Sequence, residues 1–210
     1  MHSRNLDLSI YFVADPACCG ERGIVDVVMQ AAQAGVTMIQ YRDKSGDMAQ
    51  IAAHAAMLSE LVKPFGIPFL INDYVDVAQA VDADGVHIGQ GDCDPAEARA
   101  KLGLEAIIGL TAFTEEHIAA VDPMVVDYIG TGPFYPTQTD KGKPVLGAEK
   151  FTALIEQSPV PVVGIGGITP DNAAEVINAG ADGVAMMRSI SEADDIAAAV
   201  TSFKTLTKAA

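Results

Sequence analysis

The chain has 210 residues, half of them apolar, with 28 acidic against 13 basic residues for a net charge of −15. That length fills one core and allows one or two domains, while the charge argues against nucleic acid or an anionic membrane as the main partner. Three cysteines, two adjacent (Cys18, Cys19) and one alone (Cys93), fit neither a disulfide framework nor a zinc spacing and agree with a reducing cytosol.

The apolar run near the N-terminus is about six residues, too short for a signal sequence or a membrane span, so Leu8 to Val13 is predicted as the first strand. Ile24 to Ala34 repeats apolar residues at helical spacing and stops at Gly35, where a left-handed cap is expected. The second strand, VTMIQ, runs into YRDK, and an Ala-rich helix follows from Met48 to Val62. Two short apolar runs, Phe69 to Ile71 and Val86 to Ile88, flank a helical stretch from Tyr74 to Ala80, which makes a parallel strand, helix, strand unit. Each of these runs delivers a carboxylate just past its end, Asp73 and Asp92. Asp94, Pro95 and Glu97 open the next helix as cap, first-turn proline and first-turn acid.

Ala106 to Leu110 and Val125 to Gly130 are the fifth and sixth strands, with a helix capped by Thr114 between them. The long irregular segment from Thr131 to Gly147, rich in Gly, Pro, Thr and Lys, has the composition of a functional loop. A helix from Ala148 to Gln157, strand PVVGI, a Gly166-Gly167 turn, a helix capped at Thr169-Pro170, an eighth strand from Gly183 to Met186 and a helix from Ile196 to Leu206 complete the chain. Eight strands alternating with eight helices at intervals of roughly 20 to 30 residues are the pattern of an α/β fold, the (β/α)8 TIM barrel. No linker or low-complexity stretch interrupts it, so residues 1–210 are expected to form a single domain. A doubly wound sheet is the alternative. The barrel is favoured because Gln40, Arg42, Lys44, Asn72, Asp73, Gln90, Asp92, Thr111, Thr137, Thr139 and Lys141 all follow strand ends, where a barrel brings them to one mouth.

In an extended segment Gln40, Arg42 and Lys44 point one way while Tyr41 and Asp43 point the other. Two cations and an amide on one side suit a pyrophosphate; a solvated loop paired with neighbouring acids would read the same. Asn72 and Asp73 fit turn chemistry singly, but Asp73 and Asp92 on successive parallel strands can share a hard cation such as Mg²⁺. His87 reads as a base, a metal ligand or a hydrogen-bonded barrel residue, with no second histidine at ligand spacing. Gly166-Gly167 partly mimics a dinucleotide fingerprint, but Thr169 replaces the third glycine, so a phosphate-binding turn is the better reading. Arg188 adds charge there or pairs with Glu192. No activated nucleophile is recognisable. A metal with cations around a diphosphate suits departure of that diphosphate.

The motifs QYRDK (40–44), IND (71–73), GVHIGQGD (85–92), TGPFYPTQT (131–139) and GIGGI (164–168) occur in the order and spacing of the thiamine-phosphate synthase family, which the chain resembles over nearly its whole length. The resemblance implies a cytoplasmic, Mg²⁺-dependent transferase joining a hydroxymethylpyrimidine diphosphate to a thiazole phosphate, with pyrophosphate released. It implies Mg²⁺ on Asp73 and Asp92, the pyrimidine diphosphate on Gln40, Arg42, Lys44, Asn72, Thr111 and Lys141, and thiazole phosphate near Thr137, Thr139, Gly167, Met187 and Arg188. Arg42, Lys44 and Lys141 would be catalytic. Three positions depart from the family pattern: Asp140 displaces the loop lysine to Lys141, Phe113 stands where histidine is common, and Arg188 where serine is common. A thiazole tautomerase of the same fold would need a base near strand five and no Asp92, and a silent phosphate-metabolite binder is the third reading. The implied partners are small phosphorylated molecules, with a homodimer left open.

Overall fold

The computed structural model describes residues 6–139 and 142–207. Eight parallel strands close on themselves in sequence order: β1 (Ile10–Ala14), β2 (Met38–Tyr41), β3 (Phe69–Asn72), β4 (Gly85–Ile88), β5 (Ile107–Thr111), β6 (Tyr128–Thr131), β7 (Val162–Ile165) and β8 (Gly183–Met186). Pairing of Tyr11 with Ala185 joins the last strand to the first, so no sheet edge remains among the eight. The fold is the (β/α)8 barrel that the alternation predicts.

The helices are α1 (Gly23–Ala34), α2 (Met48–Val62), α3 (Val75–Ala80), α4 (Pro95–Leu102), α5 (Glu115–Ala119), α6 (Gly147–Ile155), α7 (Ala173–Asn178), α8 (Arg188–Ser191) and α9 (Ile196–Thr207). Helix α1 buries Ile24, Val27, Val28, Ala31 and Ala32, one face of a 3.6-residue period. It ends where Gly35, at φ 86°, turns its N–H back to the carbonyls of Ala31 and Ala32. Asp94 caps α4 by accepting from the N–H groups of Ala96 and Glu97. The predicted cap at Thr169-Pro170 is corrected: Asn172 Oδ1 accepts from Thr169 N (2.8 Å), closing a turn of its own, and α7 begins only at Ala173. Helix α8 has no counterpart among the predicted elements. No helix among the described residues is long and apolar enough to cross a membrane.

Two apolar layers form, one between sheet and helices and one inside the barrel. Alternation assigns each residue to its layer: in β1, Ile10, Phe12 and Ala14 face the helices while Tyr11 and Val13 face inward. Glycine makes room for the Tyr128 ring in the interior. A Cβ on Gly109 would lie 2.2 Å from Tyr128 Cζ, closer than packed atoms approach.

The bottom of the barrel is fastened by a device used four times. The residue before each even strand bonds twice to the preceding odd strand. The N–H groups of Thr37, Asp84, Asp127 and Asp182 donate to the carbonyls of Ile10, Phe69, Ile108 and Val162 at 2.8 to 3.0 Å. Their side-chain oxygens accept from the N–H groups of the same four residues at 2.7 to 3.0 Å. Those N–H groups stand at the lower rim, where the pairing of parallel strands runs out. Three acids of this acidic chain are therefore structural, and they lie on the rim opposite Asp73 and Asp92.

Candidate active site

The loops after the strands surround one cavity of about 760 Å³ at the C-terminal end of the barrel, a size suited to a pair of small ligands. Gln40, Arg42, Lys44, Asn72, Asp73, Asp92, Thr111, Thr137, Thr139, Gly167, Met187 and Arg188 all line it. Lys141 lies outside the described residues. Gln90 does not line the cavity; its amide donates to the Thr111 carbonyl at 2.6 Å, so its place after a strand serves the loop.

The acid end is built from three strand termini. Asp73 follows β3 with a left-handed backbone (φ 62°), its N–H held by the His87 carbonyl at 2.9 Å. Asp is among the few residues other than glycine that tolerate this conformation, and it turns the carboxylate toward Lys44 and Asp92. Lys44 pairs with Asp73. Burial, reinforced by the facing Asp92 carboxyl and opposed by Lys44, raises the Asp73 carboxyl above the usual carboxylate range. Asp92 Oδ2 is fixed by Gly89 N at 2.8 Å, and a Cβ on Gly89 would sit 2.8 Å from that same oxygen, so a larger residue there would push the carboxylate aside.

Two facing carboxylates repel unless a cation lies between them. No cluster of three or more His, Cys, Asp or Glu suited to a metal exists among the described residues. The protein can thus offer a divalent ion two carboxylates, leaving other positions for water and phosphate oxygens, which is the way Mg²⁺ is commonly held. The donor set fits Mg²⁺.

Arg42 reaches the same cavity and pairs with Asp15, a buried acid at the end of β1 that also accepts from Ala17 N at 2.9 Å. Asp15 escapes sequence reasoning because its partner is 27 residues away. Tyr41 and Asp43 point outward as alternation requires, the Tyr41 hydroxyl donating to Asp43 Oδ2 at 3.0 Å. Gln40 is 4% exposed and spends its amide nitrogen on the Tyr11 hydroxyl (2.5 Å). Asn72 is 8% exposed, and its Nδ2 finds no partner among the described residues. A buried amide donor beside a cavity is satisfied by a ligand or water.

The opposite wall is glycine turn and loop. Gly166 and Gly167 adopt φ 98° and 66°, and a Cβ on Gly167 would meet the Pro136 carbonyl oxygen at 2.6 Å. The loop after β6 continues the ladder beyond the strands, Phe134 N and Tyr135 N donating to the carbonyls of Ile165 and Gly166 at 2.9 and 3.0 Å. This brings Thr137 and Thr139 to the same wall as Gly167 and Met187. Leu146 N donates to the Pro133 carbonyl at 2.9 Å and closes the base of the loop. Arg188 lines the cavity and pairs with Glu192. Lys143 of the same loop stands 4.8 Å over the Phe113 ring and also faces the cavity. Sequence reasoning missed it because the loop's path cannot be read from composition. In a chain of net charge −15, Arg42, Lys44, Lys143 and Arg188 gather at one mouth. Local positive charge against that background selects an anionic ligand.

His87 lies on the cavity floor, its Nδ1 3.0 Å from the Tyr128 hydroxyl and its Nε2 3.0 Å from Thr111 Oγ1. Burial, aided by Lys143 and opposed by Asp92, pushes its pKa from 6.5 down to about 4, so the ring is neutral at neutral pH. Between these two pH values the unfolded chain binds a proton that the folded one refuses, so stability is expected to fall as pH drops from 6.5 toward 4. The slope should be at most on the order of 1 kcal/mol per pH unit. Urea midpoints measured across this window should show it, and His87→Asn should flatten it; an unchanged slope in that variant would refute the assignment.

The family model described as thiamine monophosphate synthase matches residues 10–190. The thiamine-phosphate synthase of Azorhizobium caulinodans is 44% identical over 202 residues, covering 95% of each chain. That of Xanthobacter autotrophicus is 43% identical over 206 residues, covering 97% of each. The structure of thiamine phosphate pyrophosphorylase from Pyrococcus furiosus superposes with a TM-score of 0.86 at 31% identity, covering 97% of each chain. The matched span runs from the first strand through Arg188 and so contains every residue of the cavity wall described above, and on these grounds the chain belongs to the thiamine monophosphate synthase family of transferases.

Proposed function

We propose that the cavity joins 4-amino-2-methyl-5-hydroxymethylpyrimidine diphosphate to thiazole phosphate, forming thiamine phosphate and pyrophosphate. The observation that carries this reading is the juxtaposition of two facing carboxylates, Asp73 and Asp92, with the cations Arg42 and Lys44, across one cavity from a glycine turn and Arg188. Two anion positions, one of them beside a cation site, match one diphosphate and one monophosphate substrate.

On this reading Asp73 and Asp92 hold Mg²⁺, which when bound supplies positive charge to the diphosphate oxygens. Lys44 is then released from Asp73 to the diphosphate, and Arg42, braced by Asp15, presents its planar fork to the same oxygens. Asn72 Nδ2 donates a hydrogen bond to a ligand oxygen. The bond from the methylene carbon to the bridging oxygen breaks with both electrons on the oxygen, and Arg42 and Lys44 neutralise the charge that develops there. The ring amino group delocalises the cation left on carbon. The thiazole nitrogen, presented by the wall of Thr137, Thr139, Gly167, Met187 and Arg188, closes the new carbon–nitrogen bond with its lone pair. Lys141 is assigned to the leaving diphosphate on the family resemblance alone.

The test is to mix both phosphorylated precursors with protein and Mg²⁺ and measure pyrophosphate. One pyrophosphate per thiamine phosphate is expected. Conversion of a thiazole carboxylate phosphate without pyrophosphate release would replace this reading with the tautomerase, and binding without either conversion would leave a silent binder.

A further inference from the structure

The cavity floor is a continuous hydrogen-bonded chain across the barrel interior. Gln40 Nε2 donates to the Tyr11 hydroxyl at 2.5 Å, and the Tyr11 and Tyr128 hydroxyls lie 2.7 Å apart. Tyr128 then meets His87 Nδ1, and His87 Nε2 meets Thr111 Oγ1, each at 3.0 Å. The five side chains come from β1, β2, β4, β5 and β6, so the chain exists only in the closed barrel. Tyr11 and Tyr128 are 2% and 0% exposed.

This chain has a direction. An amide nitrogen can only donate, so Tyr11 accepts from Gln40 and sends its single proton to Tyr128. Tyr128 sends its own to His87 Nδ1. The neutral imidazole therefore carries its proton on Nε2 and donates to Thr111. In the reverse order Tyr11 would accept from both Gln40 and Tyr128, and its own proton would lose its partner in the chain. A buried donor left in that state costs about 1 to 3 kcal/mol. Burial holds both phenols above their ordinary range, so at neutral pH each hydroxyl has one proton to give, and the Nδ1 that accepts from Tyr128 is bare.

We propose that Gln40, acting through Tyr11, Tyr128 and His87, sets the polarity of Thr111, whose hydroxyl proton is thereby presented to the cavity for an acceptor atom of the substrate. Tyr128 is the positioning residue that transmits this polarity. The acceptor is an unprotonated ring nitrogen or a phosphoryl oxygen. That substrate assignment rests on the proposed function; the relay does not.

Nitrogen NMR of protein labelled with ¹⁵N-histidine, without substrate, tests the relay. The His87 signals, assigned by their absence in His87→Asn, should show a protonated Nε2 and a bare Nδ1. Tyr128→Phe, which deletes one oxygen, should return His87 to exchanging tautomers. It should also lower kcat about tenfold, the value of one hydrogen bond, with KM for thiazole phosphate unchanged. Thr111→Val should weaken binding of either inorganic pyrophosphate or the unphosphorylated aminopyrimidine about tenfold, naming the acceptor, and Thr111→Ser should restore it. A proton on Nδ1 in the wild-type protein, an unchanged tautomer in Tyr128→Phe, or equal binding of both probes in Thr111→Val would overturn the proposal. The expected wild-type spectrum together with failure to release pyrophosphate would refute the reaction and leave the relay standing.

Discussion

Asp92→Asn is expected to abolish turnover while leaving the barrel folded. Asp92 is solvent-exposed and its oxygen accepts from Gly89 N; an asparagine oxygen can make the same bond, so the loss of stability should stay within about 0.5 kcal/mol. The charge is what disappears. If Asp92 and Asp73 together hold Mg²⁺, one carboxylate with Lys44 against it keeps little affinity for the ion, and kcat should fall by at least about a hundredfold to a thousandfold, the range seen when one group stabilising a developing oxyanion is removed. The KM for thiazole phosphate should move little, because that substrate is assigned to the far wall.

The facing Asp92 carboxyl is one of the causes holding the Asp73 carboxyl up, so in the variant Asp73 should titrate lower, which carboxylate NMR can follow. Asp73→Asn makes the reciprocal case, since asparagine also tolerates the left-handed backbone at φ 62°. Full turnover and unchanged Mg²⁺ dependence in Asp92→Asn would remove the metal assignment.

The architecture was legible where local physics decides it. Helix α2 and strand β8 have the bounds that periodicity predicts, and Gly35 ends α1 because only a left-handed residue can close that cap. Several strands begin later than predicted, for a physical reason. Leu8 is apolar because it plugs the bottom of the barrel and Val36 because it packs under the helices, so neither needs to be in a strand to be buried. The side chains that line the cavity were legible as polar residues after strand ends, because closure of the barrel brings those ends together. What pairs with what was not legible. Asp84, Asp127 and Asp182 look like turn acids in sequence, and only the register of neighbouring strands shows that each clasps a strand. The relay beneath the cavity was hidden likewise, since Tyr11 and Tyr128 read as ordinary strand aromatics until the sheet closes and brings them 2.7 Å apart.

Removal of Arg99 should cost far more stability than Asp92→Asn, and it should do nothing to chemistry. Its guanidinium lies under the barrel, donating to the carbonyls of Gly103, Leu104, Ala106 and Val125 at 2.5 to 3.2 Å and to Asp127 Oδ2 at 2.7 Å. Asp127 Oδ2 in turn accepts from Ile108 N at 2.8 Å, so one cation ties α4 to the approaches of both β5 and β6. Arg99 and Asp127 side chains are 12% and 6% exposed. Truncation would strand a buried carboxylate, and breaking a buried pair by removing one partner costs about 3 to 5 kcal/mol. For a chain of this size that corresponds to a fall in Tm of roughly 10 °C. Arg99→Met keeps much of the apolar volume and should show the full loss. Arg99→Lys should recover only part of it, because a single ammonium cannot reach four carbonyls spread around a planar fork. Asp127→Asn tests the pair from the other side: it keeps an acceptor for Ile108 N and removes the charge, so combining it with Arg99→Met should cost less than the sum of the two single changes. Because this cluster is on the rim opposite the cavity, kcat measured well below the transition should match the wild-type value in all three variants. Strict additivity would mean that the pair is not coupled, and a change in kcat at constant Tm would mean that the lower rim reaches the site.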